Sequence, residues 1–230
     1  MTKTVRFWAV IPSAGVGTRM QTDRPKQYLS VGNKPLIEYT LGAFCTHEKI
    51  TGIVVAISEQ DNYWPTLEIA SHPKIRTTNG GVERCHSVMN CLKCLAETAS
   101  ADDWVLVHDA ARPCISKEDL DRLIGTLADD PVGGLLALPV RDTMKRADSE
   151  NVVKETVNRE GLWHALTPQM FRLADLTHAL QQAIDQARIV TDESQAMELA
   201  GFKPRLVQGK AQNIKVTHMG DLALAELYLK

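Results

Sequence analysis

The sequence predicts an α/β protein: a mostly parallel twisted sheet with helices on both faces. Three observations predict it. Apolar runs of strand length alternate with amphipathic stretches of helical period. Several of the runs are apolar throughout, as strands covered on both faces are. The 230 residues, 44% hydrophobic and 23% charged, can bury the core that one large α/β domain needs.

The strands are predicted at residues 5–12, 52–57, 75–78, 104–108 and 133–140. Between them lie helical patterns at 35–47, 83–98 and 117–128; the first sets Leu36, Ile37, Thr40, Leu41 and Phe44 on one side. Right-handed crossovers would then place the loop after each strand on one edge, where ligands of open α/β sheets bind. Residues 141–159 break the pattern. They are polar and charged, with two strand-like pieces around a turn at 149–151, and read equally as a solvated hairpin or an interaction arm. Helices at 173–188 and 193–200, short strands at 205–207 and 213–217, and a closing helix capped by Asp221 complete the chain.

Charge and composition exclude several classes. A net charge of −2 and a pI near 6.4 argue against a general nucleic-acid or membrane-surface binder. No run reaches the roughly 18–20 apolar residues that span a bilayer, and residues 1–12 read as a strand rather than a signal peptide. Five scattered cysteines suit reduced thiols in a cytoplasm. Cys91 and Cys94 match C-x-x-C, but no second pair completes a zinc site, and Cys91 shares helical spacing with Val88, Leu92 and Leu95. His47, His72 and His178 read as structural.

The loop after the first strand runs Ser13-Ala14-Gly15-Val16-Gly17-Thr18-Arg19-Met20 and on to Arg24-Pro25-Lys26. Its glycines let backbone N–H groups approach phosphate oxygens. A Walker A spacing is absent. A dinucleotide fingerprint fails at Met20 and lacks its acid, since Glu59 lies too far away. A small-residue loop with three cations remains, Arg19, Arg24 and Lys26, suited to the charge that builds up when one phosphate attacks another.

Further candidates fall on the same edge. Asn79-Gly80-Gly81 leads through Glu83-Arg84 to Ser87 and can clasp a base or a phosphate. His108-Asp109-Ala110-Ala111-Arg112 closes a strand; Asp109 suits Mg²⁺ or a sugar hydroxyl and Arg112 a phosphate. Thr167 and Thr191-Asp192-Glu193 offer hydroxyls and carboxylates, though Asp192 with Gln195 also resembles a capping box. Lys215, between apolar neighbours, needs an anionic partner.

Together AVIPSAGVGTRM, RPKQYL, NGGVERCHSV, VLVHDAARP, PVRDTMKR, TVNREGLWHALTPQMF, VTDE and NIKVT resemble, over nearly the whole chain, the 2-C-methyl-D-erythritol 4-phosphate cytidylyltransferases. The resemblance implies a Rossmann-like nucleotidyltransferase fold, one domain over 1–230 with a dimerisation β-arm at 141–160. It also implies a cytoplasmic homodimer, and CTP with Mg²⁺ bound mainly through its phosphates rather than in a protein metal site. The acceptor would be a small phosphorylated polyol. Arg19 and Lys26 would stabilise the attacked α-phosphate, with Ser13, Ala14, Gly15 and Gly17 around the triphosphate. Gly81, Arg84, Ser87 and Ala110 would hold the nucleotide. Asp109, Arg112, Thr143, Thr167 and Thr191 would serve the acceptor, with Arg159 and Lys215 on its phosphate and Thr143 and Arg159 reaching the partner's site. Val82 and Asn158 depart from the pattern, standing where acids are common. A ribitol 5-phosphate cytidylyltransferase of the same fold and an NAD-linked oxidoreductase are the rival readings.

Overall fold

The computed structural model describes residues 4–15 and 24–230. In chain order its strands are β1 (Phe7–Pro12), β2 (Ser30–Val31), β3 (Lys34–Pro35), β4 (Ile50–Ile57), β5 (Ile75–Asn79) and β6 (Trp104–Val107). There follow β7 (Gly133–Pro139), β8 (Met144–Ala147), β9 (Val153–Val157), β10 (Trp163–Arg172) and β11 (Arg205–Gln208). The helices are α1 (Leu36–Cys45), α2 (Arg84–Ala96), α3 (Lys117–Leu127), α4 (Leu173–Asp185), α5 (Glu193–Leu199) and α6 (Met219–Leu229).

Among the described residues seven strands form the main sheet, ordered β11-β7-β10-β6-β1-β4-β5. Its pairings are parallel except those of β10, which runs against both β6 and β7. The apolar strands are covered on both faces because alternate side chains point opposite ways. From β1, Ala9 and Ile11 join one core with Phe44 of α1 and Leu120 of α3; Trp8 and Val10 join the other with Leu92 of α2 and Leu176 of α4. Cys91 lies fully buried in that second core, as its helical spacing implies.

Side chains cap the starts of α3 and α5. The Ser116 hydroxyl accepts from the Asp119 N–H at 3.2 Å and the Asp192 carboxylate from the Gln195 N–H at 2.9 Å. At α6 the cap is His218 rather than Asp221. Asp221 sits one turn in, and its carboxylate accepts the Thr217 and His218 N–H groups at 2.8 Å.

Three further differences from the sequence reading concern strands. Residues 213–217 form no strand; the segment is fixed by the Val216 N–H donating to the Ala111 carbonyl at 2.8 Å. Conversely, residues 163–172 form β10, where the sequence shows only a polar Thr-Pro-Gln patch. Pro168 has no N–H for a ladder, and it is accommodated where the β7–β10 register breaks, between Ala165 and Gln169. The hairpin β2–β3 is likewise absent from the sequence reading.

Residues 141–159 fold as the hairpin β8–β9, an exposed ribbon beside the sheet. Its turn closes through Asn151, at φ 63°, and through the Asp148 N–H donating to the Val152 carbonyl at 3.0 Å. Among the described residues no helix is long and apolar enough to cross a membrane.

Candidate active site

The parallel strands all end on one edge, and the antiparallel β10 starts there. This brings the loops after β1, β5 and β6 together with residues 165–169, 191–193 and 213–217.

Close backbone approach shapes the first part of the site. The Ser13 N–H donates to the Ala56 carbonyl at 2.8 Å, carrying the loop off β1 beside the end of β4. A Cβ on Gly80 would overlap that of Ala14, and one on Gly81 would overlap that of His86, so the glycine pair is required by packing as well as by turning. Ser87 locks the pair by accepting from the Gly81 N–H at 3.0 Å. The result is a cavity of about 530 Å³. It is lined by Ser13, Ala14, Gly15, Lys26, Gly81, Arg84, Ser87, Asp109, Ala110 and Lys215, joining every described residue expected around the nucleotide. Gly17 and Arg19 lie outside the described residues.

A second cavity, about 150 Å³, is lined by Arg112, Thr167, Thr191 and Asp192. Arg84, Asp109 and Lys215 line both. Thr143 and Arg159 line neither cavity; both are exposed at the base of the β8–β9 ribbon, where the Arg159 guanidinium donates to the Arg141 carbonyl.

Charge is organised around Asp109. Its carboxylate meets Lys215 Nζ at 3.0 Å, Arg84 Nε at 3.2 Å and Arg112 Nε at 3.4 Å. Burial works to raise this carboxyl, but Arg84, Lys215 and Arg112 outweigh it and hold it well below the usual carboxylate range. Lys215 thus has the anionic partner its setting demands. The rest of the Arg84 fork is occupied by Glu193, 1% exposed, at 2.6 and 3.0 Å. Burial alone would lower the Arg84 guanidinium; Glu193 and then Asp109 raise it instead. Arg84, Arg112 and Lys215 against Asp109 and Glu193 leave this cluster one positive charge, with Lys26 adding another on the nucleotide side.

Beneath Asp109 lies a buried histidine. The Nε2 of His108 sits 3.1 Å from the Arg112 carbonyl, which can only accept, so the proton belongs on Nε2. Nδ1 then accepts from the Thr167 hydroxyl at 2.9 Å, and that hydroxyl accepts the Asp109 N–H at 3.2 Å. Thr167, expected at the acceptor, therefore enters the small cavity with its proton already committed to the fold. Burial pushes His108 down to about 4. The unfolded chain, with a histidine near about 6.5, takes up the proton first, so the stability from neutral His108 is whole above that pH and drains as pH falls through the folded value. A loss on the order of 3 kcal/mol is expected across that window. His108→Gln should flatten the denaturant midpoint between about pH 7 and 5, relative to the parent chain. An unchanged slope would contradict this.

The sequence pointed to neither Glu193 as the partner of Arg84 nor Gln27, whose amide donates to the Ser13 and Gly15 carbonyls. Glu193 carried only the signal of a helix start. Gln27 carried none beyond its place beside Lys26.

A glycine-bearing loop and a basic cluster shared by two cavities, on the strand-end edge of a mostly parallel sheet, define an α/β nucleotidyltransferase: an enzyme that steers one phosphate onto another. The family model described as 2-C-methyl-D-erythritol 4-phosphate cytidylyltransferase (IspD) matches residues 7–230, and the chain belongs to that family. It is 54% identical over 217 residues to the 2-C-methyl-D-erythritol 4-phosphate cytidylyltransferase of Pseudomonas fluorescens (strain Pf0-1), covering 94% of this chain and 92% of that one. Among solved structures, a 4-diphosphocytidyl-2C-methyl-D-erythritol synthase superposes with a TM-score of 0.87 at 39% identity, covering 100% of both chains. The cytidylyltransferase of Francisella tularensis superposes with a TM-score of 0.85 at 35% identity, covering 97% and 99%. The chain is a cytidylyltransferase of isoprenoid precursor biosynthesis, which sets aside the ribitol phosphate and NAD readings.

Proposed function

We propose that CTP occupies the larger cavity, with its triphosphate beside Ser13, Ala14, Gly15 and Lys26, and that 2-C-methyl-D-erythritol 4-phosphate presents its phosphate through the smaller one. The lining shared by the two cavities, Arg84, Asp109 and Lys215, carries this reading, because phosphates entering from the two cavities would meet at one set of cations. An oxygen of the acceptor phosphate forms a bond to the α-phosphorus. The bond from that phosphorus to the bridging oxygen breaks in line, and its electron pair leaves with pyrophosphate. The products are 4-diphosphocytidyl-2-C-methyl-D-erythritol and pyrophosphate. The nucleophile is already an anion, so no general base is required, and catalysis is positioning plus charge neutralisation. Lys26 and Arg19 act at the attacked phosphate, while Lys215 leaves Asp109 to meet the acceptor phosphate beside Arg112.

Magnesium fits this arrangement as a metal carried by the triphosphate. No group of three carboxylate, histidine or cysteine ligands occurs among the described residues, and Asp109 is the carboxylate common to both cavities, so Asp109 would be the protein's contribution to holding it. When bound, the ion neutralises phosphate charge.

The working unit in this proposal is a cytoplasmic homodimer of single-domain protomers. The β8–β9 ribbon exposes Met144, Val152 and Val153, apolar surface suited to a second copy, and carries Thr143 and Arg159 away from their own cavities. Arg159→Ala is expected to raise the acceptor KM by about 10- to 100-fold, the worth of a charge-assisted hydrogen bond, with the CTP KM little changed. Mixing Arg159→Ala with Lys26→Ala protomers should then restore activity, because one site per mixed dimer would hold both residues. Failure to complement would show that Arg159 does not act across the dimer.

A further inference from the structure

Lys26 belongs to a three-residue turn, Lys26–Tyr28, whose other two members are buried. Tyr28 anchors one side: its hydroxyl donates to Asp61 at 2.6 Å and its ring stacks on Tyr63 with centroids 5.2 Å apart. Asp61 is itself fixed, accepting the Tyr63 and Trp64 N–H groups at 3.0 Å. Gln27 anchors the other side. Its amide donates to the Ser13 carbonyl at 2.7 Å and to the Gly15 carbonyl at 3.2 Å, the two carbonyls that flank Ala14. Ala14 is the residue against which Gly80 packs.

An amide NH₂ holds two protons at a fixed separation, and here both are given to loop carbonyls. What remains on Gln27 is an acceptor oxygen, which repels phosphate rather than binding it. The side chain is therefore unsuited to gripping the nucleotide, although it lies at the cavity. It is suited to fixing how far the preceding residue, Lys26, stands from the backbone proposed to surround the triphosphate.

We infer that Gln27 is a positioning residue: its two hydrogen bonds to the loop carbonyls set the place of Lys26 at the attacked phosphate. The inference rests on the role of Lys26 proposed above. Gln27→Met keeps the length of the side chain without its protons, and Gln27→Glu sets a carboxylate against two carbonyls. Each is measured alone and combined with Lys26→Ala, for turnover, CTP KM and the number of CTP sites per chain by calorimetry.

In the otherwise native chain, turnover is expected to fall about 10- to 100-fold with the number of CTP sites per chain intact, since misplacement by about 1 Å can cost on the order of 10² in rate. In the Lys26→Ala background most of that loss should vanish, because residues acting through one another are not additive. Unchanged turnover, equal losses in both backgrounds, or losses matched by missing CTP sites would each overturn the inference. Full turnover in Lys26→Ala alone would remove the Lys26 role and the inference with it. A defective Lys26→Ala with additive Gln27 losses removes only the inference.

Discussion

Lys26→Ala is expected to lower turnover by on the order of 10²–10³ while changing CTP affinity far less, the loss seen when one preorganised donor is removed from developing charge. The reasoning starts from the difference between ground and transition states. In the proposed CTP complex the triphosphate charge would be shared by the loop amides and several cations, so one ammonium would be a minor part of affinity. As the acceptor oxygen approaches, charge builds on the equatorial oxygens of the α-phosphate, and a group fixed at that point strengthens selectively. Steady-state kinetics with calorimetric CTP titration distinguish the two. Near-normal turnover with a raised CTP KM would mean that Lys26 binds substrate and transition state alike. Arg19→Ala is expected to behave the same way.

Asp109→Asn is expected to cost about 3–5 kcal/mol of stability, with activity falling alongside, because it strands buried cations. Arg84 keeps Glu193, but Arg112 and Lys215 lose the carboxylate they share. Arg112 is the more exposed to this loss. Burial already lowers its guanidinium, Asp109 opposes that, and its other hydrogen bond goes to the Asn213 carbonyl at 2.7 Å. The pH dependence has a definite sign. The folded carboxyl ionises below the value of about 3.9 found in unfolded chains, so the folded state binds fewer protons in acid. The stability due to Asp109 is therefore whole above about pH 4 and is lost only as pH falls through the folded value. Denaturant unfolding at neutral pH tests the magnitude; a change under about 1 kcal/mol would show that the three cations do not depend on this carboxylate.

Much of this was legible in the sequence, for physical reasons that can be named. The apolar runs of β1, β4 and β6 declare strands buried on both faces, and the turn residues after them declare the edge where ligands bind. Lys215, flanked by Ile214 and Val216, announced a need for an anion without saying which. Its partner Asp109 lies far away in sequence, and nothing local marks it as the hub of three cations; read alone, it suited a metal or a sugar. The Arg84–Glu193 fork spans 109 residues and is invisible for the same reason. β10 was hidden differently: Thr167 and Pro168 fall where its register breaks, so a polar, proline-bearing patch that looks like a loop interrupts a strand paired on either side of it.

The direction of β10 has a consequence for how this architecture can be altered. β7 leaves the sheet and β10 returns to it at the same edge, with Pro139 opposite Trp163. The intervening ribbon is thus an insert in a hairpin whose register is already fixed by the strands that flank it. Such an insert is modular. Its length and sequence can drift, or be exchanged between homologues, without re-threading the sheet, while its base stays fastened beside the chemistry. The ribbon can then change as one continuous cassette while the pairing of β7 with β10 holds.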